Sequence, residues 1–278
     1  MCAPGTVETV RARADAEGIR FDRRTALMAG AGAALSVALP GRAVAARTPT
    51  NRLVDLTHVY SEEFPLFLGA PVETTREVVV TVVPDGFYAQ RWSFWEHSGT
   101  HMDAPAHFIA DGRQSPEITP EELIVPIVVV DISARVRDDA DALVMPADLV
   151  AFERRHGRIP KGALVAMFSG WESRAGSVEA YRNVGPDGLQ HFPGFSPEAV
   201  EWLLENRDFT GIAVDTMSLD HGRSTTFDTH LTLLGADKYG LENIRNHSTI
   251  PPRGATAYVG LIPWRFGSGG PCRVIARW

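Results

Sequence analysis

The sequence predicts an α/β fold with a mixed sheet, and three observations carry that expectation. Short runs rich in β-branched residues recur along the chain, at 77–83, 127–132, 164–168, 211–214 and 256–262. Helix signals fall between them, so strands and helices alternate. The stretch Ile127-Val128-Val129-Val130 is apolar without a break, the pattern of a strand covered on both faces.

Each element has a local reason. Gly/Pro punctuation and adjacent strand runs near 77–95 leave room for antiparallel pairing, so a mixed sheet is expected rather than a purely parallel one. Thr119-Pro120-Glu121-Glu122 has the form of a capping box with Pro at the first helical position. Pro146–His156 carries Leu149, Val150 and Phe152, with charged residues after them. Ser196-Pro197 opens a helix whose Val200, Leu203 and Leu204 share a face. Gly267-Ser268-Gly269-Gly270 lacks the lysine and helix signal of a phosphate cradle and reads as a turn.

The 278 residues are 44% hydrophobic and 22% charged, an ordinary globular composition. Residues 1–45 differ. Arg23-Arg24 precedes a mild apolar stretch at 26–39, and Ala43-Val44-Ala45-Ala46 follows, which together read as an export leader of twin-arginine type. The domain expected to remain is 46–278, periplasmic or secreted. Residues 1–45 carry six basic and four acidic side chains, leaving 21 against 30 and a net charge of −9. So acidic a surface argues against nucleic acid and an anionic membrane as partners. Only Cys272 remains in that domain, without a base beside it, so it reads as buried filler and no intramolecular disulfide is possible.

The chemistry concentrates in His97-Ser98-Gly99-Thr100-His101-Met102-Asp103-Ala104-Pro105-Ala106-His107. Three imidazoles and a carboxylate in eleven residues are the donors a divalent transition metal prefers. His101 and Asp103 are two apart, so an extended backbone projects both to one side. A catalytic ion needs a few ligands and an open position. Bound water, acidified from ~15.7 to about 7 in pKa, would then attack a carbonyl. Mixed imidazole and carboxylate donors without thiolate suit Mn²⁺ or Zn²⁺. His107, just past the ligand run, is the expected proton carrier. No G-x-S-x-G elbow occurs.

The run H-x-G-T-H-x-D-x-P-x-H resembles the signature of the metal-dependent cyclase family, which includes bacterial kynurenine formamidases and isatin hydrolases. Asp55-Leu56-Thr57-His58, Asp215-Thr216-Met217-Ser218-Leu219-Asp220, His230 with Glu242, and 267–274 resemble its other segments, so the likeness spans about 52–278. The resemblance implies compact mixed β-structure surrounded by helices, and a homodimer or higher oligomer. It assigns a first metal to His97, His101 and Asp103. His107, His230 and Glu242 would complete a second or alternative position, for one or two ions per subunit, and with two ions Glu242 would move the proton instead of His107. The implied activity is hydrolysis of an aryl or cyclic amide, isatin-like or N-formylkynurenine-like. Phe64, Phe67, Trp92, Phe94, Trp95, Phe192 and Phe195 are the candidate walls for a small aromatic substrate. Two alternatives stand beside it: a cyclase or dehydratase acting on a polyketide-like acid, and an exported metal- or ligand-binding protein without turnover.

Overall fold

The computed structural model describes residues 52–67 and 74–278, together with the isolated Ala12. The export leader read over 1–45 therefore lies outside the described residues. Residues 75–93 form one unit and the remaining described residues from 52 onward form another. Among the described residues no helix is long and apolar enough to cross a membrane.

The smaller unit is a hairpin. Its strands, Thr75–Val80 and Ala89–Ser93, pair antiparallel as expected. The first strand stops short of residue 83, because the chain turns over Val82–Asp85, where Asp85 Oδ2 accepts the Thr81 amide at 2.9 Å.

The larger unit is built on one eight-stranded sheet. In chain order its strands are β1 (Leu53–Asp55), β2 (His101–Asp103), β3 (Ile124–Asp131), β4 (Ala163–Phe168), β5 (Phe209–Ala213), β6 (Tyr239–Glu242), β7 (Ala255–Leu261) and β8 (Gly269–Arg277). They are ordered β1-β8-β7-β3-β4-β5-β6-β2, and β2 also pairs β8. That extra pairing closes seven strands into a barrel-like ring, with β1 outside on β8. β3, β4, β5 and β6 are parallel, and the other pairs are antiparallel. The sheet is thus mixed, as the sequence predicts.

The continuous apolar run has the double cover it implies. Ile127 and Val129 join Met102, Leu164, Ala213, Leu241 and Val274 in one core. Val128 and Val130 turn the other way and join Val165, Ile212, Leu149, Val200 and Leu203 in a second. Two helices cover that second face. α1 (Pro146–His156) matches its expected bounds, and α2 (Pro197–Asn206) starts where Ser196 Oγ accepts the Ala199 amide at 3.1 Å. α3 (Asp228–Gly235) follows β5 through a long loop. The sequence reading of 267–270 as a turn is corrected, because Gly269 already lies in β8. A Cβ there would meet Met102 O at 2.1 Å and His97 Cε1 at 2.9 Å, so only glycine lets β8 lie against β2. Cys272 is buried in β8, and burial pushes its thiol up, in keeping with filler.

Candidate metal centre

The centre grows out of strand register. In the β2–β6 pair, His101 lies opposite Glu242 and Asp103 opposite Gly240. Side chains alternate along a strand, so His101, Asp103 and Glu242 share one face while Met102 and Leu241 fill the core on the other. Asp103 also pairs Gly269 of β8. Both cross-strand neighbours of this carboxylate are therefore glycines, which keeps the space beside it free of side chains. α3 then lowers His230 onto the same spot.

These four side chains are at most 5% exposed. His101 Nε2 lies 3.3 Å from Asp103 Oδ1 and 3.4 Å from Glu242 Oε2. His230 Nε2 lies 3.5 Å from Asp103 Oδ2 and 3.2 Å from Glu242 Oε1. A tetrahedral site with arms of ~2.1 Å has edges of ~3.4 Å, close to each of these four imidazole–carboxylate separations. His101 Nε2 and Asp103 Oδ2 are buried and make no hydrogen bond, an expensive state unless a cation joins them. The other imidazole nitrogens are engaged: His101 Nδ1 donates to the Gly99 carbonyl at 2.9 Å, and His230 Nδ1 to Asp220 Oδ2 at 2.6 Å. Each ring therefore turns its Nε2 lone pair inward. Gly99 reaches that position with φ +64°, a conformation open to glycine. The residues present fit a divalent ion.

The electrostatics of the metal-free centre say the same. Burial disfavours a charged His101, but Asp103 and Glu242 outweigh it and push its pKa up to about 9. Burial likewise opposes charge on His230, and Asp103, Asp220 and Glu242 outweigh it too. Burial would raise Asp103, yet His101 holds it well below the carboxylate range. Glu242 is pushed up, by burial first and then by Asp103. Protons on the imidazoles stand where a cation would balance the carboxylates.

His97 and His107 lie on either side of β2 and are half-buried. Their rings stack at 3.6 Å between centroids. His97 Nδ1 lies 2.6 Å from Asp103 Oδ1. Its Nε2 donates to Ser268 Oγ at 2.8 Å, and that hydroxyl donates to Glu96 Oε1 at 2.5 Å. Burial, helped by repulsion from His97, pushes His107 down to about 4. His97, Asp103 and His107 form one donor group and His101, Asp103 and Glu242 another. All six expected site residues thus converge: the four most buried, His101, Asp103, His230 and Glu242, form a quartet, and His97 and His107 stand beside it, with His97 Nδ1 reaching Asp103 Oδ1.

A cavity of about 430 Å³ opens onto five of these donors, all but Asp103. Of the expected aromatic walls only Phe67 and Trp95 line it. Phe192 and Phe195 are buried in the helix-side core, and Phe64 is buried against His58 and Tyr181. Phe94 packs on Tyr60, and Trp92 lies in the hairpin under Arg76. Phe108, Phe227, Met217 and Ser218 line the cavity instead. The signal for Phe108 was its position directly after His107; Phe227 had none. In the 215–220 segment, Asp215 stays away from the centre and accepts from Ser169 Oγ (2.6 Å) and the Trp171 amide (3.1 Å).

The cyclase family profile matches residues 54–221. Isatin hydrolase of Roseibium aggregatum is 32% identical over 241 residues, covering 81% of this chain and 90% of that protein. The solved isatin hydrolase A from Ralstonia solanacearum superposes with a TM-score of 0.77 at 37% identity, covering 82% of this chain and 92% of that one. Kynurenine formamidase of Bordetella pertussis is 26% identical over 196 residues, covering 70% of this chain and 83% of that protein. The chain belongs to the cyclase family.

Proposed function

We propose that this cyclase-family chain is a metal-dependent hydrolase of a small aryl or cyclic amide, of the isatin or N-formylkynurenine kind. One observation carries the reading: four buried donors, two with orphaned atoms, converge beside a cavity that His101, His230 and Glu242 line together with Phe67, Trp95, Phe108 and Phe227. Similarity to isatin hydrolases covers more of the chain, at higher identity, than similarity to kynurenine formamidase, which favours the cyclic amide.

His101, Asp103, His230 and Glu242 would hold the ion, and imidazole and carboxylate donors without thiolate suit Mn²⁺ or Zn²⁺. When bound, such an ion supplies acidified water and a polarised carbonyl. The aromatic walls hold a flat ring and exclude bulk water. Ser218 Oγ, buried without a partner beside the cavity, is free to donate to a substrate oxygen. His107 is neutral and open to the cavity, so it can take the proton from the attacking water. Once protonated, the same imidazole can pass the proton to the departing amide nitrogen. Water oxygen joins the carbonyl carbon, the C–N bond breaks, and the proton travels from water to nitrogen through His107. Both Glu242 oxygens face the imidazoles of the quartet, so Glu242 serves as ligand.

The test is a screen of Mn²⁺- and Zn²⁺-supplied protein on isatin, N-formylkynurenine and simple lactams, with metal content measured on the same samples. Metal-dependent opening of isatin is the expected result. Full metal occupancy without turnover of any amide would leave a binding protein instead.

A further inference from the structure

We infer that Asp220 is the positioning residue that sets the tautomer and the aim of His230 in the metal centre. The inference rests on the metal reading above and deepens it.

Asp220 ends the loop after β5 and is 3% exposed. Its Oδ2 accepts from His230 Nδ1 at 2.6 Å and from the His230 amide at 3.2 Å. Its Oδ1 accepts from the Thr229 amide at 2.9 Å and, at 3.4 Å, from the Ser224 hydroxyl. Four donors converge on two oxygens, so the group must be an ionised carboxylate.

Two of those donors are first-turn amides of α3, which begins at Asp228. The residue before it, Phe227, is left-handed (φ 56°) and offers no capping side chain. Asp220 therefore supplies from a distance the cap that the local sequence lacks. The same oxygen that receives the His230 amide receives its ring. Backbone and imidazole are pinned to one point, so the ring cannot turn without breaking the cap. With Nδ1 obliged to carry the proton, Nε2 keeps its lone pair toward Asp103 and Glu242.

The neighbouring residue does the matching task. The Leu219 amide donates to Glu242 Oε1 at 3.0 Å. One dipeptide thus steadies both ligands that lie outside the histidine-rich run. A purely structural cap would leave the imidazole untouched; the 2.6 Å bond to Nδ1 separates the two roles.

The test is Asp220→Asn. The amide keeps the shape but carries two N–H donors, so one must face a donor of the imidazole or of the helix turn. Cobalt titration of the metal-free wild type should give a saturable visible band. The variant should bind Co²⁺ about 10- to 100-fold more weakly, with a changed band shape. Wild type that binds no Co²⁺ or Zn²⁺ would overturn the metal reading and this inference with it. Wild type that binds, beside a variant that binds equally tightly with an identical spectrum, would overturn the inference alone. If the variant does not fold, ¹⁵N-histidine NMR of zinc-loaded wild type decides: Nδ1 protonated and Nε2 metal-bound supports the role, and a proton on Nε2 removes it.

Discussion

The two sides of the centre are built by different means. His101, Asp103 and Glu242 stand on paired strands, and His230 stands on a helix capped from the loop beneath it. All four are buried, and their four imidazole–carboxylate separations are 3.2–3.5 Å. His97 and His107 stand on the segments entering and leaving β2, half-exposed to the cavity, one ring stacked on the other. Paired strands hold a geometry; the flanking segments bring groups within reach of a substrate. On the function proposed above, the quartet would hold the ion and His107 would move the proton.

The largest expected effect breaks the holding side. Asp103 stands between His97, His101 and His230, so Asp103→Ala removes the common partner of all three. Metal retention and turnover should both vanish, a loss well beyond the ~10- to 100-fold typical of a residue behind the ligands. Metal analysis after desalting, with circular dichroism to confirm the fold, checks this. A folded variant retaining a full complement of metal would erase the distinction between the two sides.

His107→Ala sharpens it from the other side. Loss of a positioned proton carrier lowers rates by roughly 10² to 10⁴. Metal content should stay near that of the wild type. A parallel loss of metal and rate on one preparation would move His107 into the ligand set.

Next comes the acid response of the quartet. In the metal-free chain burial disfavours a charged His101, but Asp103 and Glu242 hold its pKa up at about 9. Below that pH the ring carries a proton that an incoming ion must expel, so metal affinity falls as pH falls. The slope is about tenfold per unit for each proton released. Titrating metal into weakly buffered protein at neutral pH should release protons. Binding without release would contradict the charge balance drawn for the quartet.

Much of this was legible in the sequence because half of the holding side, His101 and Asp103, is local there. His101 and Asp103 share a face by the period of a strand, and the unbroken run Ile127-Val128-Val129-Val130 announced a doubly covered strand. What stayed hidden depends on pairing between distant segments. Nothing near Gly269 says that it borders Asp103, because that follows from the ring closing through β8 on β2. The aromatic walls misled for a related reason. Phe192 and Phe195 were expected as walls, yet they face the helix-side core, whereas Phe227 reaches the cavity from a loop without periodicity. The place of Glu242 has the same source: the register sets it opposite His101, 141 residues away in sequence.

The smallest expected effect tests whether the flanking side has support of its own. His97 Nε2 donates to Ser268 Oγ at 2.8 Å, and Glu96 holds that serine twice, through Oγ and through its amide at 3.1 Å. The bridge lies at the cavity rim, partly open to water. A hydrogen bond there has a net worth of about 0.5–1.5 kcal/mol, because water can replace the lost partner. Ser268→Ala should therefore slow turnover by roughly 2- to 12-fold, the same energy expressed as a rate. Metal content should not change, since no member of the quartet bonds to Ser268. His97 would still be held by Asp103 at its other nitrogen, which is why the ring is loosened rather than released. Turnover and metal content measured together give the answer. If Ser268→Ala lost metal as fully as Asp103→Ala, the rim and the quartet would be one cooperative unit and the division between holding and reacting would fail.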